Sequence, residues 1–588
     1  MILQELYRYY QRKNEEGELP PPGFEKKEIH YTIVIDNKGN FVRFESNIYK
    51  EGDEEKVRTF LVPASIKRSS NIAANLLWDN ISYVLGESSP GEKEDPKRLK
   101  QQKNEFYKRV EECLEQTKEK SLAAVLAFAQ VNKKTYTSDP LWKEIINRKT
   151  GANLSFKLHG EKELVCAKKT IINYVIKSLE SSHSEGELYT CLISGEKTEI
   201  AEIHPAIKGV YGGQPTGTNI VSFNLRAFES YGKKRSYNAP VGKYAAFAYT
   251  SALNSLLAKD STQKLQVGGS TVVFWSEKKT EFENEFASFF EFKDADKNLE
   301  NKVLESRALV SLRKLLESPQ RGKMGTPEKE MKFFVLALAP NAGRLAIRFW
   351  YQASIAEVEN NLRQYFLDLQ TVHPPYLSEV LPLRTLLRST AVAGKDENIH
   401  PLMATGLFSA ILSNKPFPRV VLSSVVERIR AEPSASYEFE YSRAALIKAY
   451  INRLVRARQY NTKLLEDKMD ETNTSIAYRL GRLFAVLEYL QARAIGNPNA
   501  SIRDRYYAAA SSRPAVVFPI LLNLANHHIS KIGWGDKLIE DILMVFPAEN
   551  PFPRSMTLEE QGLFAVGYYQ QKQVLYAKKV ENEGGKDE

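Results

Sequence analysis

Cysteine is nearly absent: Cys113, Cys166 and Cys191 are the three in 588 residues. None forms a CxxC pair, so a disulfide-stapled scaffold is excluded and a reducing cytoplasm is the expected compartment. There is no HExxH, and Cys191 with His204 alone falls short of a tetrahedral zinc site. Of the eight histidines only His527 and His528 adjoin. They fall in a helical pattern beside Leu524 and Ile529, where a capped or core-edge pair explains them better than a ligand pair. No GK[ST] follows the GGQPTG run, so it is not a phosphate-binding P-loop. No long apolar run is free of charge, so no transmembrane helix is expected. The start, MILQELYRYYQRK, scatters charge through an amphipathic helix and does not read as a signal peptide. Carboxylates lie mostly in charged helical runs, Asp294-Ala295-Asp296 among them, where a solvated face is the simpler account than a metal site. No acidic pair is flanked by turns. These absences point to a soluble cytoplasmic protein with no cofactor or metal and no catalytic centre; the alternative is a nuclease or RNA-processing enzyme with a dispersed active site.

What is present is globular: 43% hydrophobic and 26% charged residues, in a chain long enough for about two to four domains. The formal net charge of +10 favours a polyanionic partner, or is no more than a basic soluble surface. The pattern predicts a helix over 1–13 and a strand at Ile29–Asp36. Asn37-Lys38-Gly39-Asn40 should turn that strand into FVRFES, with a third strand at Val57–Pro63, making a small antiparallel sheet. Residues 87–135 read as charged helices, NLSFKLH and Glu163–Ala167 as strands, and TIINYVIKSLES as a helix. Lys243–Leu257 is a helix rich in small residues, Gly268–Ser276 a strand, and Met331–Gln352 a β-hairpin turning at Pro340–Gly343, followed by a helix.

Beyond about residue 374 strand-like alternation nearly vanishes, and apolar residues recur at helical spacing to the C-terminus. The expected fold is therefore an α+β N-terminal domain with antiparallel sheet elements, residues 1–373, followed by an all-α helical bundle, residues 374–588.

The stretch from Gly209 to Gly242, GVYGGQPTGTNIVSFNLRAFESYGKKRSYNAPVG, concentrates recognition chemistry. Its glycines and Pro215 make a turn-rich loop that permits close backbone approach. Gln214, Thr216, Thr218, Asn219, Ser222 and Asn224 are neutral donors and acceptors suited to base edges, the last of them on a polar strand expected from Asn219 to Asn224. Lys233, Lys234 and Arg235 supply charge for phosphates, with Tyr231 and Tyr237 as stacking faces. An ordinary surface loop has similar composition.

Two further groups carry the same alternatives. Lys67, Arg68, Ser69, Ser70 and Asn71 form either a phosphate or base contact or a helix start capped by Ser70 or Asn71. In the bundle, Arg456, Arg458, Arg503, Arg505 and Arg513 lie near tyrosines. That arrangement suits a single strand held by charge and stacking, and equally ordinary ion pairs along helices.

Taken together, MILQELYRYY, PPPGF, KRSSNIAANLLWDNISYVLG, CLISGE, IHPAIKGVYGGQPTGTNIVSFNLRAFESYG, YRLGRLFAVLEYLQ, IRDRYYAAASSRPAVVFP and EEQGLFAVGYYQQK resemble the large subunit of type I-C CRISPR Cascade complexes, from the first residues almost to the last. The resemblance implies a non-catalytic subunit of an RNA-guided surveillance complex. Such a subunit recognises the protospacer-adjacent motif (PAM) in double-stranded target DNA, assists duplex opening and R-loop formation, guides the displaced strand and helps recruit a helicase-nuclease. Implied partners are the guide RNA, the backbone and guide-processing subunits and a small subunit, with no membrane. GGQPTG with Gln214 is the candidate for the family's glycine-rich loop and glutamine-like wedge. Lys67, Arg68, Ser69, Asn71, Thr216, Asn219 and Asn224 are further PAM-side candidates, Lys233, Lys234 and Arg235 phosphate contacts, and the bundle arginines contacts to the displaced strand. The resemblance also implies that residues 469–588 form a small-subunit-like module, which internal translation from Met469 would make separately.

Overall fold

Apolar β-branched runs too short for helices set the first sheet. The computed structural model describes residues 1–52, 54–66, 72–88, 95–148, 151–181, 188–290, 327–432, 435–496 and 500–583. They form two compact units: Met1–Pro205 with Val221–Ser255, and Ala206–Ile220 with Leu256–Glu588.

In the first unit, the helix Ile2–Glu15 precedes strands β1 (Phe24–Glu28), β2 (Tyr31–Ile35), β3 (Phe41–Ser46), β4 (Ile48–Glu51), β5 (Glu54–Val57), β6 (Thr59–Pro63), β7 (Trp78–Asn80) and β8 (Asn153–Leu158). The β2–β3 turn is set by Asp36, whose carboxylate accepts the amides of Lys38 and Asn40, both at 2.8 Å. The opening strands do not make one small antiparallel sheet. β6 pairs instead with β1 in a separate ribbon. The place beside β2 goes to β8, in parallel, within the order β3-β2-β8-β7. Every residue of β2 is buried, which suits an interior strand. A parallel partner needs a long crossover, and the helices Pro96–Thr117 and Lys120–Phe128 lie within it. The strand expected at Glu163–Ala167 is a single 3₁₀ turn, Val165–Ala167, and the helix Lys169–Ser181 follows.

The second unit is built on an antiparallel sheet of β11 (Lys264–Val267), β12 (Ser270–Ser276), β13 (Lys332–Asn341) and β14 (Arg344–Ser354), paired in that order. Ala342 and Gly343 turn the expected hairpin. Val272, Phe274, Phe333 and Val335 share one continuous hydrophobic core with the helix Ile355–Leu369 and the helices that follow. The last strand ends at Ser354 and a helix follows at once, so helical structure starts before the change of pattern near residue 374; the compact unit begins earlier still, because the sheet and the bundle bury their apolar faces together. The last part is all helical, as its periodicity predicts, and no helix among the described residues is long and apolar enough to cross a membrane.

Two helices of this bundle, Ile476–Ile495 and Leu558–Glu583, touch backbone to backbone. A Cβ on Gly481 would lie 2.0 Å from the Phe564 carbonyl oxygen, and one on Gly567 would lie 2.1 Å from that of Tyr478. Nearby, Glu440, whose side chain is 9% exposed, pairs with Arg503 and, at 3.1 Å, with Lys572. Tyr568 closes the group by donating to Glu488 at 2.6 Å. Burial pushes the Glu440 carboxyl up, but the two cations outweigh it and hold it below its ordinary 4.5.

Gly567→Ala is expected to cost about 1–3 kcal/mol or more, because a carbonyl cannot give way as a side chain can. Gly562→Ala, which meets only side-chain atoms of Ile447 and Leu422 at 3.0 and 3.1 Å, should cost less; thermal unfolding followed by circular dichroism orders the two. A carboxylate whose folded value is lowered adds stability above its ordinary value and loses it as pH falls through the folded one. The melting-temperature gap between wild type and Glu440→Gln is accordingly expected to narrow as pH drops below 4.5.

Candidate nucleic-acid interface

The glycine loop belongs to the second unit. Ile207 and Thr218 exchange both backbone hydrogen bonds at 2.8 Å and close its base. Within it the Gly213 amide donates to Val210 and the Gly217 amide to Gln214, giving two successive tight turns. Gly209 and Gly217 have φ of +84° and +93°, and side chains there would strike the Leu257 carbonyl and Ala206 at 2.6 and 2.8 Å. The loop is fastened to the sheet: the Tyr211 amide donates to the Thr271 hydroxyl at 2.9 Å, and the Leu345 amide to the Asn219 carbonyl at 3.0 Å. Gln214, Pro215 and Thr216 are left exposed at its crown. The expected polar strand from Asn219 to Asn224 is not formed. Asn219 makes one bridge to Arg344, and the chain then continues without a strand into the first unit, where Asn224 is exposed.

In the first unit, residues 188–205 and 221–242 hold only two short strands, β9 (Tyr189–Thr190) and β10 (Lys197–Thr198), and two 3₁₀ turns. Side chains supply most of the order. The Asn238 amide group donates to the carbonyls of Lys233 and Arg235, both at 2.9 Å, and its oxygen accepts the Ser230 amide at 2.9 Å. Ser236 donates to the Glu202 carbonyl, and Arg235 pairs with the Glu202 carboxylate, each at 2.7 Å. Cys191 accepts the amides of Ile193, Ser194 and Gly242 on its sulfur. Burial raises its thiol, yet those amides hold it below its ordinary value. His204 is buried, with its Nδ1 2.6 Å from the Tyr249 hydroxyl. Burial lowers its pKa to about 4, so it is neutral at pH 7 and offers no charge to a phosphate.

The basic cluster is thereby sorted. Lys233 and Lys234 are exposed, and no carboxylate among the described residues pairs with either, whereas Arg235 is partly neutralised by Glu202. Of the two tyrosines, Tyr237 sits edge-on to Tyr189 with ring centroids 5.2 Å apart, and Tyr231 stands in water. The bracing residues Asn238 and Glu202 were missed by sequence reasoning; the only signal is an Asn a few positions after a Tyr-Gly turn.

The bundle arginines fall into two groups. Arg503 is 7% exposed, paired with Glu440, and packed over the rings of Tyr507 and Tyr568 at 5.9 and 5.3 Å; its charge is committed inside the core. Arg456 is bound by both oxygens of the buried Asp368 at 2.6 Å. Arg458, Arg505 and Arg513 are exposed. Lys67, Arg68, Ser69 and Asn71 lie outside the described residues. Among the described residues no three His, Cys, Asp or Glu side chains gather as a metal-binding group.

What this geometry defines is two polar, exposed loops, each braced by hydrogen bonds of its own, in a chain of α+β and helical structure. Residues 6–576 match a family model of CRISPR-associated proteins. The chain belongs to that family, Cas_Csd1. None of the curated proteins compared with the chain matches it.

Asn238→Ala removes three hydrogen bonds from one turn. It is expected to lower stability by about 1–3 kcal/mol and to speed limited proteolysis within residues 230–235, read by mass spectrometry of the first fragments.

Proposed function

We propose that the chain is the non-catalytic large subunit of a type I-C Cascade complex. In this role it reads the PAM of duplex DNA, assists duplex opening and R-loop formation, guides the displaced strand and helps recruit the helicase-nuclease. Membership of a CRISPR-associated family over nearly the whole chain supports a role beside the guide RNA and other such subunits. The observation that carries the PAM assignment is the presentation of Gln214: an amide side chain exposed between two pinned turns, on a loop sewn to a sheet. A neutral side chain held this way reaches a base edge or parts a base step without the entropy of ordering a mobile loop. Thr216 and Asn219 flank it. Lys233 and Lys234 are uncompensated charges of the kind that position a phosphate backbone. In the bundle, Arg458, Arg505 and Arg513 have the exposure that guiding a displaced strand needs. Met469 lies in the linker between the helices Tyr437–Arg456 and Ile476–Ile495, a place where an internally started product would begin with a complete helix.

The test is binding of the reconstituted, guide-loaded complex to target duplexes with intact or scrambled PAM. Gln214→Ala with Asn219→Ala is expected to lose about ten-fold or more on the intact PAM and little on the scrambled one. Lys234→Ala should weaken binding on both and flatten the salt dependence by about one unit of slope. Unchanged discrimination in the double variant would remove PAM reading from this loop.

A further inference from the structure

Tyr231 is 98% exposed, the most exposed of the large hydrophobic residues described. Its φ is +53° and that of Gly232 is +70°, so the pair forms the centre of a tight turn closed by the Lys233 amide on the Ser230 carbonyl at 2.9 Å. Two successive left-handed residues ordinarily call for Asn-Gly. A tyrosine there is strained and gains nothing from packing, since it makes no ring contact among the described residues. Backbone strain of this kind persists where surroundings over-determine it, and it concentrates at ligand contacts. The surroundings do so here: Asn238 ties Ser230, Lys233 and Arg235 together, and Ser236 and Arg235 anchor the turn to Glu202.

We propose that Tyr231 is a stacking residue, its ring lying against the face of an unpaired DNA base while Lys233 and Lys234 hold the adjoining phosphates. The inference rests on the reading of the chain as a DNA-contacting subunit and adds a site outside the glutamine loop. A single ring beside two uncompensated cations fits a base and its backbone, and such stacking is indifferent to base identity because every base has a face. It fits a protein surface poorly, since the neighbours are lysines and a glycine rather than a continuous apolar patch. The bases inside an intact duplex are already stacked on each other, so the ring takes one that duplex opening has freed.

The experiment titrates the full-length chain into a short single strand carrying 2-aminopurine, whose fluorescence is quenched on stacking. Wild type and Tyr231→Phe are expected to bind and quench alike. Tyr231→Asn should bind about ten-fold more weakly with the quench lost, and with melting temperature unchanged or raised because Asn tolerates the left-handed backbone. Retained quench and affinity in Tyr231→Asn would overturn the proposal. So would unaltered single-strand binding accompanied by failure to assemble with protein partners in size-exclusion chromatography. The outcome is separable from that of PAM reading: discrimination lost in the Gln214 variant, with quench unaffected by Tyr231→Asn, would sink stacking alone, and the converse would sink PAM reading alone.

Discussion

Backbone amides that join neither helix nor strand still need partners when they leave water. Between residues 188 and 242 that requirement shapes the molecule. Asn238, Ser236 and Cys191 satisfy amides or carbonyls that regular pairing would otherwise take, and the glycine loop closes on itself through Ile207 and Thr218. The exposed side chains owe their fixed positions to these partners, not to their own contacts. A polar crown on a hydrogen-bonded base is the outcome, with Gln214 and Thr216 outermost.

Periodicity made most elements legible: the first helix, β2 and β3, the β13–β14 hairpin and the helices beyond residue 374 all follow from it. Pairing was less legible. Nothing local marks β8 as the parallel neighbour of β2, because that choice depends on a crossover through intervening helices. The segment from Asn219 to Asn224 reads as a polar strand yet pairs once, at Asn219, since strand character in sequence says nothing of whether an edge is there to receive it. At the candidate interface, composition singled out Gln214 and the lysines, which the structure places in solvent. It could not separate Tyr231 from Tyr237, or Arg503 from Arg505, because exposure depends on residues far along the chain.

That separation also bears on the chain's positive charge. Arg443, Arg453, Arg479, Arg482 and Arg503 are buried, and Arg443, Arg453 and Arg503 are matched to carboxylates. Removing one partner of such a pair strands a charge in the core, which costs far more than the pair contributes. Arg453 and Arg503 so join helices that lie far apart in the chain. A formal count of Lys and Arg therefore overstates how many face solvent.

The polypeptide passes between its two units at residues 205/206, 220/221 and 255/256. Neither unit is therefore a continuous stretch of coding sequence. A gene cut at residue 256 would express the four-stranded sheet without the glutamine loop fastened to it, and a product ending at 205 would lack the braced turn and the helix Lys243–Leu256. Dissection by truncation would remove the parts whose roles it set out to test, whereas point substitutions leave the interleaved chain whole.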